Sequence, residues 1–163
     1  MHNRLRAGLA GFIALLLVSC GAPSTADFVT DAAMSNLYEI EAGKLASEKG
    51  QSEAVKAFGR QMVEAHSKAS EELKTVVEAE NLKVELPAKL GKRQRGMIDT
   101  LNKVKPAAFD KVYAKQQQKV HKRAAELFDD YAEAGDNPAL KHFAANMLPM
   151  IKQHREHAET LLK

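Results

Sequence analysis

The chain has 163 residues, 45% of them hydrophobic and 28% charged, with no Trp and a single Cys. That composition excludes a disordered or fibrous chain and suggests one globular domain. Removing Arg4 and Arg6 with a leader leaves 22 basic against 21 acidic side chains, a balance that does not support a nucleic-acid-binding field over the whole molecule. One Cys forms no internal disulfide, so the core alone must hold the fold.

The first element is an address. Arg4 and Arg6 give a positive n-region, and Ala7 to Val18 is an apolar run of signal-peptide size, too short for the ~20 residues of a comfortable membrane span. The run ends in Leu17-Val18-Ser19-Cys20-Gly21, which resembles the bacterial lipobox, with the chain's only Cys at the lipidated position. The expected division is therefore 1–19 signal peptide, 20–27 lipidated Cys20 and tether, and 28–163 helical domain. Gly21 rather than Asp follows Cys20, so the expected location is the bacterial envelope, facing the periplasm and anchored to the outer membrane through Cys20. The lipid anchor makes the membrane a partner; the sequence names no protein partner.

After Asp27 no segment alternates in the manner of a strand, and apolar positions recur at helical spacing. A first helix is expected over 28–49, stopped by Gly50-Gln51-Ser52. A second is expected over 53–80 with the stripe Val55, Phe58, Met62, His66, Ala69, Leu73, Val76. Residues 81–106 read as a connector with a short helix around 89–104. A third helix is expected over 107–134, stopped by Gly135 ahead of Pro138, and a fourth over 138–162 with the stripe Leu140, Phe143, Met147, Ile151, His154, Ala158, Leu161. Pro149 inside the fourth helix removes the hydrogen bond to Ala145 and should kink it. Val55-Lys56-Ala57-Phe58 before Met62 recurs as Leu140-Lys141-His142-Phe143 before Met147, each opening the second helix of a hairpin. The expected fold is all-α: an up-and-down four-helix bundle, ferritin-like, with a short connector helix between two hairpins.

Polar groups of ligand type fall on these stripes. His66 and His154 lie on the apolar faces of the second and fourth helices, and His121 lies on the line Tyr113, Gln117, His121, Ala124, Phe128, Tyr131. The first helix offers Glu39 on a stripe of small residues (Ala32, Ser35, Gly43, Ala46), and also Glu41, nearer Leu37 and Leu45. If both hairpin turns lie at one end, counting from them puts Glu39, His66, His121 and His154 within roughly 10 Å of one level, at ~1.5 Å per residue. One such group per helix at one height is the geometry of a bundle-core site for a divalent metal, zinc or copper. The same residues also suit a buried polar network that only fixes helix register. A ferritin-type di-iron centre is not encoded, because Val63, Gln118 and Ile151 stand where Glu would precede each His by three. Met147, Met150, His154 and His157 share a helix face whose thioether and imidazole groups suit copper, although a Met stripe more often fills a core. The connector is basic (Lys83, Lys89, Lys92, Arg93, Arg95, Lys103, Lys105), which fits contact with anionic lipid or a solvated cap over the bundle end.

Phe28 with Ala32-Ala33, Glu39-Ile40 with Gly43 and Leu45-Ala46, Val55-Lys56 with Phe58, Met62-Val63 with His66, His121 with Leu127-Phe128, and Leu140-Lys141 with Phe143-Ala144, Leu148-Pro149 and His154 together resemble the bacterial family called domain of unknown function 4142. The resemblance covers roughly Phe28 to Leu162. It implies a ferritin-like exported bundle, of the kind labelled "predicted outer membrane protein", without an agreed activity, and it directs interest to Glu39, His66, His121 and His154. Ala65 and Val120 depart from the family's pattern, which commonly has Asp before these two histidines. Two functions stay open. One is an envelope binding protein with an inter-helix metal or ligand site. The other is a structural or stress-response lipoprotein with no metal, whose histidines are core polar groups. An enzyme, an oxidoreductase, ranks behind both.

Overall fold

The structure is a computed structural model that describes residues 23–161. Among these residues there are five helices and no strand: α1 (Thr25–Lys49), α2 (Glu53–Ala79), α3 (Lys92–Lys103), α4 (Pro106–Ala134) and α5 (Pro138–Thr160). The expected signal peptide and lipidated Cys20 lie outside the described residues. α1 starts earlier than its apolar stripe suggests. Ser24 caps it, its Oγ accepting from Asp27 N at 3.2 Å, so the last tether residues form the first turn. Ser52 and Asn137 cap α2 and α5 in the same manner, and Pro106 and Pro138 open α4 and α5 at positions that need no amide hydrogen. α5 runs through Pro149 as one helix, with the proline exposed.

The four long helices touch in the cyclic order α1, α2, α5, α4, and α3 packs on α1 and α4. The path is not strictly up and down. Gln51 and Ser52, in the α1–α2 turn, donate backbone N–H groups to the Asp110 carboxylate near the start of α4. Thr25, at the opposite end of α1, bonds Tyr131 and Asp136 beside the α4–α5 turn. The two hairpin turns therefore lie at opposite ends, and α2 and α4 run in the same direction. The connector makes this possible by descending the bundle's length. It bonds Met34 Sδ through Gly91 N (3.1 Å), and further down Lys49 Nζ donates to Asn102 (2.7 Å). It is thus a strap along the side of the bundle, not a cap over its end.

The four residues still share a level in this arrangement, because counted from the end that holds the α4–α5 turn Glu39, His66, His121 and His154 lie roughly 13 to 16 residues along their helices. The α1–α2 hairpin is especially close. A Cβ on Gly59 would lie 2.7 Å from Gly43 O and 2.8 Å from both Ser47 N and Ala46 Cβ, so the two backbones meet there with only a methyl beside them.

The core is divided. One apolar cluster gathers Phe28, Leu73, Val77, Phe128, Tyr131, Leu140 and Ile151, with Phe28 stacked on Tyr131 at 4.0 Å. The other gathers Tyr38, Val55, Phe58, Met62, Leu101, Phe109, Tyr113 and Ala158. Between them lies a layer of Asn36, Glu39, His66, Gln117, His121 and His154, which are the buried polar and charged residues of the described chain. The α2 stripe drifts by one position at its end, so Val77 is buried and Val76 only half-buried.

Candidate metal centre

α2, α4 and α5 each carry one histidine into the dividing layer. His66, His121 and His154 are 4%, 1% and 2% exposed, their ring centroids are 5.5–5.8 Å apart, and one ligand atom from each lies within 4.8 Å of the others. Three buried histidines so placed could hold a metal ion. Metal–nitrogen bonds of about 2.0–2.1 Å would need only a modest inward shift of the rings.

The hydrogen bonds set the tautomers. His121 Nδ1 lies 3.0 Å from the carbonyl of Gln117, which can only accept, so this nitrogen carries the proton. His66 Nδ1 lies 2.9 Å from Asn36 Oδ1 and donates to it. The other nitrogens, His66 Nε2 and His121 Nε2, are then bare lone pairs; these two and His154 Nδ1 are buried without a hydrogen-bond partner. Holding the outer ring N–H on a protein oxygen while freeing the inner nitrogen is the usual orientation of a metal-ligating histidine. Burial, with the neighbouring imidazoles adding to it, pushes His66 well below the ordinary histidine range. Burial also lowers His121 to about 4, partly offset by the Gln117 bond, and lowers His154 to about 4. All three rings are neutral at neutral pH, the form that coordinates metals.

Of the two candidate carboxylates on α1, Glu39 is fully buried and Glu41 exposed. Glu39 Oε1 lies 3.9 Å from His121 Nδ1, on the ring's protonated side, so Glu39 stands behind His121 and outside the cluster of ligand atoms. Burial raises its carboxyl to about 8, with the Gln117 amide offsetting part of the shift. Tyr113 shares this pocket; burial and then Glu39 push its hydroxyl well above the ordinary range. His157 does not join the cluster. It is exposed and packs edge-on against Phe58 at 4.9 Å, while Met147 and Met150 are half-buried.

Nine buried side-chain atoms have no hydrogen-bond partner among the described residues, and all belong to this layer and the adjoining Tyr113. Each such group costs about 1–3 kcal/mol when left unpaired, so a layer of this kind is stable only when water, a shared proton or a bound ion satisfies these atoms. Asn36 and Gln117, which orient the ligands, were not singled out from the sequence, although the spacing 32, 36, 39, 43, 46 on α1 carries Asn36 inward where the expected stripe ran through the half-buried Ser35.

The fold and the centre define a class: an all-helical protein with a buried three-histidine cluster. Within it, residues 19–161 match the family described as Domain of unknown function (DUF4142), and the chain belongs to that family. Among solved structures it is similar to CopM in the Cu(II)-bound form, with a TM-score of 0.70 and 15% identity over 85% of this chain and 95% of that one, a likeness of fold. No curated protein matches the sequence.

Proposed function

We propose that this protein is a lipid-anchored bacterial envelope protein that binds one copper ion between its helices through His66, His121 and His154. The observation that carries the reading is the convergence of three neutral, buried imidazoles whose inner nitrogens have no protein partner. Three imidazoles suit copper or zinc. Copper is favoured because CopM, of the same fold, is seen with Cu(II) bound, and because half-buried Met147 and Met150 place thioethers beside the cluster. The single crossover connection is the one ferritin-like bundles use. The membrane address rests on the n-region, the apolar run and Cys20.

Each surrounding residue has a role in this reading. Asn36 and the Gln117 carbonyl hold His66 and His121 in the coordinating tautomer. Glu39 supplies a carboxyl that ionises when a cation enters, so the buried layer need not carry an unbalanced positive charge. Phe58, edge-on to His121 and His154 at 6.4 and 6.3 Å, closes the layer against one apolar cluster.

The test is metal analysis of untagged protein purified from the periplasm. One copper per chain is expected, and His66→Ala or His154→Ala should abolish it. One zinc per chain would replace copper as the cargo. No bound metal, and no saturable shift in melting temperature with either ion, would leave the structural lipoprotein with a register-fixing polar layer.

A further inference from the structure

On the α2–α5 side an inner cavity that touches His66 and an outer groove share Ala69, Met147 and Met150. The inner one, about 10 Å3, has room for a single water or ion and is lined by His66 and Asn36 together with Ala69, Met147 and Met150. The outer one is a surface groove of about 350 Å3, lined by Glu64, Lys68 and Glu72 and floored by the same Ala69, Met147 and Met150. The two methionines and one small residue are therefore the partition between solvent and the cluster. The opposite side differs in chemistry. A cleft of about 210 Å3 between α1, α3 and α4 also reaches Ser35 and Ala124 of the inner cavity's wall, but it is lined by Arg93 and Arg123 against Asp31. Guanidinium groups raise the energy of an approaching cation, whereas in the groove Lys68 is paired with Glu72 at 3.8 Å and the carboxylate of Glu64 leaves a net negative lining that lowers it.

We propose that Met147 and Met150 form a thioether gate through which monovalent copper passes from the Glu64–Glu72 groove to His66. This rests on the copper reading above and deepens it by naming the route and the oxidation state that the route selects. A soft thioether exchanges readily with Cu(I) and offers little to hard cations, so it can strip the ion of water and hand it to an imidazole. Methionine is also unbranched and flexible, so a half-buried pair can swing without disturbing the helix packing. Ala69 leaves space for that movement.

The measurement is the rate at which apo-protein takes Cu(I) from a coloured chelator complex, followed by loss of the chelator's absorbance. Relative to wild type, Met147→Leu/Met150→Leu should load at least tenfold more slowly and release copper to excess chelator more slowly in proportion. Leu for Met conserves volume, so circular dichroism should be unchanged, and the single Leu variants give partial slowing if the double variant does not fold. Met97→Leu, on the arginine-lined side, should load at the wild-type rate. Unchanged loading in the double variant, or equal slowing in Met97→Leu, overturns the gate. Faster release with unchanged loading also overturns it, because the sulfurs would then be ligands and not a passage. A wild-type protein that takes no copper at all overturns the centre itself, which is a separate result.

Discussion

At the scale of single residues, the layer is controlled by atoms that hold the ligands, not only by the ligands. Asn36 Oδ1 keeps the His66 proton on Nδ1 at 2.9 Å, so Asn36→Ala should leave His66 free to turn or change tautomer. Loss of such an outer hydrogen bond commonly costs ten- to a hundredfold in metal affinity, and a copper titration against a competing chelator should show a weakening of that order. Glu39 makes the opposite contribution to the metal-free protein. Its carboxyl is pushed up to about 8, so between the ordinary carboxylate range and pH 8 the folded state holds a proton the unfolded chain has released, and stability falls as pH rises. Glu39→Gln removes that titration without changing shape. The apo-variant should melt higher than apo-wild type at pH 8, with the difference vanishing near pH 4.5; an equal difference at both would mean the effect is packing. The histidines were legible because each sits on a strong apolar stripe. Glu39 was separable from Glu41 only in the structure, since the two lie on nearly opposite faces of a weakly amphipathic helix and its pattern does not say which face is buried.

At the scale of elements, the helices followed from spacing and capping, and their arrangement did not. Gly50-Gln51-Ser52 and Gly135-Asp136-Asn137-Pro138 mark both hairpins in the sequence, and α3 was visible as a short helix in the connector. The reversal of the second hairpin was hidden, because it depends on a 12-residue helix and its flanks packing along α1, a tertiary choice that periodicity does not encode. The α1–α2 contact was half legible. The small residues on α1 were evident, but their partner Gly59 was not. In an exposed helix Gly→Ala gains about 1 kcal/mol of propensity. At Gly59 the new methyl would meet backbone atoms 2.7–2.8 Å away, and overpacking of that kind costs typically 1–3 kcal/mol. The clash wins. Gly59→Ala should lower the urea midpoint, and by forcing α1 from α2 it should also weaken copper binding through the Asn36–His66 bond. A variant with a raised midpoint would show that the hairpin can relax at that contact.

At the scale of the whole molecule, a polar layer between two apolar clusters makes stability a function of what the layer holds. In metal-free protein, the three histidines are buried neutral with folded pKa values depressed below the unfolded value of about 6.5, two of them to about 4. Depressed groups contribute stability that is present above the unfolded pKa and lost as pH falls toward the folded one. Each gives a slope of up to about 1.4 kcal/mol per pH unit between roughly 6.5 and 4. Glu39, raised from 4.5 to about 8, slopes the other way over its own window. Three groups outweigh one below pH 6.5, and Glu39 stands alone above it, so apo-protein should be most stable near pH 6.5 and fall off on both sides, more steeply on the acid side. Bound copper should change the shape of that curve as well as its height. A cation beside Glu39 favours its carboxylate, which flattens the alkaline limb, and saturation at a hundredfold excess over Kd adds about 2.7 kcal/mol. On the acid side protons compete for the same imidazole nitrogens, so the copper-dependent rise in melting temperature should shrink steadily below pH 6.5. Thermal melts from about pH 4 to 9, with and without copper, read all of this at once. A metal-free profile that is flat between pH 5 and 6.5 would mean that the histidines are charged or hydrated in the folded state, and that the layer is not the dry, neutral ligand set its geometry describes.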